Sequence, residues 1–124
     1  MRSRILSLAG VLALIPGVLL LAPATPAMAD PGDPAHCSEF GSHPDLYNGG
    51  GISFANGTII HSGAYTDCNP RGEGFPSQGI NVHCAVVNDN GFGWFFVVDT
   101  STGISGWGRT DAFNYAHSVS VPIC

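Results

Sequence analysis

Four cysteines, Cys37, Cys68, Cys84 and Cys124, are spread along a chain of 124 residues, and all four follow an apolar leader. The leader decides their chemistry. Arg2 and Arg4 form a short basic region, residues 5–21 are mostly apolar, and Ala27-Met28-Ala29 is a small-residue cleavage site. Those are the parts of a secretory signal peptide. A membrane-spanning helix is the competing reading, because the run approaches the ~20 residues that a span requires. Pro16 and Gly17 interrupt it, so residues 1–29 are read as a signal peptide and the product as exported. In an exported chain of this size, an even number of cysteines implies two disulfides, for which three connectivities exist. The preferred pairing is Cys68–Cys84, which closes a loop rich in Asn, Gly and Pro, with Cys37–Cys124 tying the chain ends together. Zinc ligation is disfavoured because no close Cys-x-x-Cys pair occurs. No metal and no other cofactor is expected.

Residues 30–124 suffice for one domain with a modest core that gains from such staples. From Asp30 onward the only fixed cations are Arg71 and Arg109, set against nine acidic residues, and there is no lysine. A nucleic-acid partner needs clustered cations and is excluded. Adhesion to anionic lipid is disfavoured for the same reason. No second apolar stretch is long enough for membrane insertion after the leader is removed.

Residues 30–50 are rich in Pro, Gly, Asp, Ser and His and read as an irregular lead-in. Short strands are expected at 52–54 and 58–60, with Asn56-Gly57 between them as a hairpin turn. Residues 61–79 read as one long loop, since their glycines and prolines suit neither a helix nor a central strand. In the segment 80–87, INVHCAVV, Ile80, Val82, Cys84 and Val86 fall on one face of a regular strand. Asn88-Asp89-Asn90-Gly91 is a reversal signal. Residues 94–98, WFFVV, form a strand that is apolar on both faces. A turn at 99–103 leads to a strand at 104–107, then to a short helical turn at 110–113 that Thr110 or Asp111 would cap. A final strand is expected at 118–121. About five short strands without a useful helix call for an all-β fold, a small antiparallel barrel or sandwich.

Several segments together resemble the bacterial SH3-like domain family, in its exported actinobacterial form. They are Ile59-Ile60-His61-Ser62-Gly63, the strand from Gly79 to Cys84, the Trp94 strand, Gly103-Ile104-Ser105-Gly106-Trp107, and the short turn after it. Gly108 departs from the pattern, which places a small hydrophobic residue there. The resemblance implies a small, disulfide-stabilised SH3-like antiparallel barrel over residues 51–124, and the positions of Cys68 and Cys84 support their pairing. It also implies a binding module rather than an enzyme, of a kind that holds peptidoglycan in a groove of aromatic and loop residues.

The candidate ligand-binding residues are Tyr65, Phe75, Phe92, Trp94, Trp107 and Arg109. Tryptophan serves equally at recognition surfaces and in cores, and either role suits Trp94 and Trp107. Phe92 sits in a turn and, with Tyr65 and Phe75 of the long loop, would form an aromatic rim. Arg109 would meet a ligand carboxylate or pair with Asp111. None of the five histidines has the nucleophile and orienting carboxylate of a hydrolytic triad. His36 and His43, with Asp33, Glu39 and Asp45 nearby, have the donor types of a metal site in the lead-in, but the preferred reading is an ordinary solvated acidic face. Asp89-Asn90-Gly91 lacks the rest of a calcium-loop ligand series. The expected function is therefore a secreted, noncatalytic binding module for cell-wall glycan or peptide. The alternative is a secreted protein–protein interaction domain, such as an enzyme inhibitor or a surface-complex subunit.

Overall fold

A strand that is apolar on both faces needs cover on both sides, and the central strand of this protein obtains it. The computed structural model describes residues 30–124; the signal-peptide reading lies outside the described residues. Seven strands follow in order: β1 (Ile52–Phe54), β2 (Thr58–His61), β3 (Pro70–Gly74), β4 (Ile80–Val87), β5 (Gly93–Asp99), β6 (Ser105–Arg109) and β7 (Phe113–Tyr115). Single 3-10 turns occur at Ala35–Ser38 and Thr110–Ala112. Five strands form an antiparallel sheet in the order β3-β2-β6-β5-β4, and β1 pairs with β7 in a second, two-stranded sheet.

Along β5, successive side chains enter two different cores. Phe95 and Val97 pack with Ile52, Phe54, Ile60, Val82 and Phe113, so the β1–β7 pair closes over that face. Trp94 and Phe96 pack with Ala64, Cys84, Val86 and Trp107 on the other. There the cover is irregular chain, residues 30–50 and the loop after β2, and Phe40 is its main apolar contribution. No helix among the described residues is long and apolar enough to cross a membrane.

The expected SH3-like barrel is not formed: neither sheet closes on itself. The two outer strands of the large sheet show why. The free side of β4 is already engaged, because Leu46 and Tyr47 donate their N–H groups to the His83 carbonyl, at 3.0 and 2.9 Å. Further along, Ala85 donates to Pro122 and Cys124 donates to Ala85, at 2.8 and 2.9 Å, in a parallel bridge between Ala85 and Ile123. The opposite edge, β3, opens on Pro70, which has no N–H to offer a partner. With one edge capped and the other blunted, the sheet stays open.

Four local expectations are corrected as well. Residues 70–74 form an edge strand inside the supposed loop, paired to β2. Asn56-Gly57 is no hairpin turn, since β1 and β2 belong to different sheets; Gly57, at φ 78°, turns the corner between them. Residues 118–121 form no strand, and the extended edge role passes to Ile123. The 3-10 turn at Thr110–Ala112 carries no side-chain cap, and Phe113 leaves it as the start of β7.

The cysteine pairing is the largest correction. The bridges are Cys37–Cys68 and Cys84–Cys124, not Cys68–Cys84 and Cys37–Cys124. An irregularity in β4 is the physical reason. Val82 opposes Val97 and Cys84 opposes the adjacent Phe96, so His83 is an extra residue in the ladder. Such a bulge reverses the facing of everything beyond it. Ile80 and Val82 therefore join the first core, and Cys84 and Val86 join the second. Cys84 thus meets the tail that lies along β4, while Cys68, in the loop after β2, meets the lead-in.

The strand β6, SGWGR, explains the departure at Gly108. Gly106 and Gly108 stand opposite Val97 and Phe95, on the face occupied by the first core. A Cβ at Gly108 would overlap the Phe113 ring, and one at Gly106 would overlap the His61 carbonyl and the Ile60 side chain. The absent side chains make room for Phe113 and for close approach of β2.

Candidate ligand groove

The lead-in is fastened to the sheet by polar contacts as well as by Cys37–Cys68. The Asp33 carboxylate accepts hydrogen bonds from the Ser62 hydroxyl and, at 2.7 Å, from the Asn69 N–H. Asp30 takes both Nε and an Nη of Arg71 at 3.0 Å, and this guanidinium holds its carboxyl below the usual carboxylate range. The Tyr65 hydroxyl donates to Glu39 at 2.6 Å, and this bond, with burial, pushes the phenol up to about 12. His43 stacks on Phe96 with ring centroids 3.5 Å apart and meets Trp107 edge-on at 6.2 Å.

These contacts cover the Phe96–Trp107 half of the second face and leave its Trp94 half open. The open half is a groove of about 350 Å³ lined by Ile59 and His61 from β2, Trp94 from β5, Arg109 from β6, and Thr66 and Asp111. The pleat puts them there: Trp94 stands directly opposite Arg109, and His61 opposite Trp107. Trp94 is only 1% exposed and packs edge-on against His61 at 5.4 Å. Its indole Nε1 is buried and finds no acceptor among the described residues. Arg109 pairs with Asp111 at 2.9 Å, and its guanidinium lies over the Phe92 ring, 4.2 Å from the centroid. Ile59 and Phe92 are exposed.

A second, more polar depression of about 480 Å³ adjoins it, lined by His36, Tyr65, Thr66, Asp67, Asp89 and Asn90. Thr66 belongs to both. The pair His61 and Ser62 is not arranged for catalysis: the His61 Nδ1 meets the Cys68 carbonyl at 2.9 Å, and the Ser62 hydroxyl is given to Asp33.

Of the six candidate residues, Trp94 and Arg109 line the groove, and Phe92 flanks it through Arg109. Trp107 is 3% exposed and serves the core, against Phe96 and Phe40. Tyr65 is buried at the wall of the second depression, and Phe75 lies in the turn after β3, away from both. No aromatic rim of Tyr65, Phe75 and Phe92 forms. Ile59, His61, Thr66 and Asp111 were not singled out by sequence reasoning for this surface. For the first two a signal existed, because Thr58 and Ile60 are buried on the opposite face of a four-residue strand.

The chain matches no family model, no curated protein and no solved structure. The groove must therefore be interpreted from its own chemistry.

Acid is expected to loosen the lead-in through His43. Burial, then repulsion from His83 and from Arg71, holds its imidazole below the ordinary 6.5. Asp45, 3.8 Å from His83, is the nearby carboxylate. A proton bound more weakly by the folded state gives stability that is present above the unfolded value and lost as pH falls through the folded one. Amide protection at Leu46 and Tyr47, which dock on the His83 carbonyl, should therefore fall as pH drops below about 6.5. Protection unchanged down to pH 5, or an equal fall in His43→Phe, would count against this role.

Proposed function

We propose that the chain is a secreted, noncatalytic binding module that holds a cell-wall peptide in the groove beside Trp94. The observation carrying this reading is the union, in one open groove, of an apolar wall and a fixed ion pair. Ile59 and Trp94 supply the wall, and Arg109 and Asp111 supply opposite charges 2.9 Å apart. A short peptide rich in small apolar side chains, with a free carboxylate and a free amine, offers the matching set. The guanidinium takes a carboxylate in a bidentate fork, and the Asp111 carboxylate, which is exposed, takes an amine. The Phe92 ring holds the guanidinium in place by a cation–π contact. A glycan would stack on the exposed Phe92 ring.

Purified peptidoglycan at physiological salt is expected to retain the protein. Arg109→Ala should lower retention roughly tenfold, the scale of one charge-assisted hydrogen bond, and Phe92→Ala by less, with thermal unfolding little changed in both. Trp94 is unsuited to this test because its replacement would open the core. Exposed Val87, Phe92 and Ile123 favour a second reading, a secreted protein partner. Absence of retention by wall material, with capture of one secreted protein, would replace the first reading by the second.

A further inference from the structure

The adjoining depression carries a second chemistry, independent of the groove. We propose that, when the Cys37–Cys68 bridge is reduced, the protein holds one zinc ion between Cys37, Cys68, His36 and Asp67. One donor atom from each of these four residues lies within 4.8 Å of the others. Around tetrahedral zinc, with Zn–S near 2.3 Å and Zn–N near 2.0 Å, donors stand on the order of 3.3–3.8 Å apart. Seating an ion thus draws the farthest donors together by about an ångström and, once the bridge is broken, moves the two sulfurs apart to roughly 3.8 Å. Two thiolates, an imidazole and a carboxylate are all donors that zinc accepts.

The surroundings suit such a site. His36 and Asp67 already meet at 2.7 Å, and the His36 ring sits edge-on to Tyr65 at 4.5 Å. Cys37 and Cys68 are buried with Tyr65 and Phe40, which would shield the sulfur side. Asp67 is exposed, and with His36 it lines the depression, so the ion has a path from solvent. Asp89 on the same wall makes the approach acidic. The backbone is fixed independently of the sulfurs: Ser62 donates to Asn69, Cys68 to Tyr65 and Cys37 to Pro34, at 2.8, 3.2 and 3.0 Å. The ligands arrive as two adjacent pairs, His36-Cys37 and Asp67-Cys68, from segments a bridge of 31 residues apart. For that reason the absence of a Cys-x-x-Cys pair is no argument against them.

The redox step balances with a dithiol as reductant. Its two thiols supply two electrons and two protons and leave as a disulfide, the Cys37–Cys68 bond breaks, and each sulfur becomes a thiol. Zinc then displaces both thiol protons to solvent and takes the neutral imidazole and the carboxylate as its remaining ligands. Bridge and ion tie the lead-in to the same loop, so each can replace the other as the fastening.

Cobalt titration of the protein, reduced with excess dithiol and desalted without oxygen, tests the site. One equivalent per chain should give thiolate-to-cobalt charge transfer and a tetrahedral ligand-field band, both erased by one equivalent of zinc. The oxidised protein should give neither. Cys37→Ser with Cys68→Ser should abolish the signal, and Cys84→Ser with Cys124→Ser should keep it. His36→Ala and Asp67→Asn, which leave both bridges able to form, should each weaken zinc binding at least about tenfold in the reduced state. No charge transfer on reduction, an equal signal without Cys37 and Cys68, or undiminished affinity in both His36→Ala and Asp67→Asn would overturn the proposal.

Discussion

Gly106→Ala is expected to cost about 3 kcal/mol or more, at the upper end of what overpacking causes. The methyl group would fall on the His61 carbonyl oxygen and beside the Ile60 side chain. The obstacle is backbone, and it belongs to the strand that β6 must touch. Relief therefore requires β2 and β6 to separate, which also disturbs Ile60 in the first core and His61 at the groove. Gly108→Ala is the internal comparison. Its methyl would meet the Phe113 ring, a side chain that can shift, and its cost should be smaller, about 1–2 kcal/mol. Urea denaturation at constant m-value reads both. Equal costs, or a Gly106→Ala midpoint matching the parent, would refute the close packing of β6 on β2.

The second large effect concerns the bridge at the capped edge. Cys84→Ser with Cys124→Ser opens a ring with sequence separation 40, for which chain entropy gives about 4 kcal/mol. A comparable loss is expected from Cys37→Ser with Cys68→Ser under oxidising conditions, since its ring, at 31, is of similar size. What distinguishes the two is the edge. Without Cys84–Cys124 the end of the tail is held to β4 by its hydrogen bonds at Ala85, with Val119 and Val121 packed on the first core before it, and its release bares a strand edge, a template for pairing with another chain. The Cys84–Cys124 variant should therefore self-associate with rising concentration in size-exclusion chromatography, and the Cys37–Cys68 variant should not. Peptide mapping without reduction should join the peptides of Cys84 and Cys124. A Cys68–Cys84 cross-link would overturn the pairing and the edge argument together.

Where pattern alone governs, the sequence was legible. The segment 80–87 is a strand with the expected ends, and Asn88-Asp89-Asn90-Gly91 is the expected reversal. There the Asn88 carbonyl oxygen of the side chain accepts the Asn90 and Phe92 N–H groups, both at 3.1 Å. What failed depends on events with no local signature. One extra residue at His83 changes which core Cys84 enters, and alternation read through it assigns the wrong partner. Residues 70–74, PRGEG, have no strand propensity of their own; they are extended because β2 offers them a ladder. The Gly-x-x-Gly-Trp segment runs into a strand, β6, but a single strand says nothing about whether the sheet edges meet, and the barrel inferred from it does not form. For the groove, Trp94 and Arg109 were visible as residue types. Their partners Ile59, His61 and Asp111 are gathered by strand order, which the sequence does not state.

The two bridges also lie one after the other along the chain, from 37 to 68 and from 84 to 124. Neither ring contains an end of the other, so neither has to wait for the other or be threaded through it. Each cysteine pair can find its mate within its own half of the domain. The β-strands, not the sulfurs, are then what join the halves, with β2 against β6 and β1 against β7 as the seams. Oxidation and sheet assembly become separable events, and a chain with only one ring closed still has its correct path to the other.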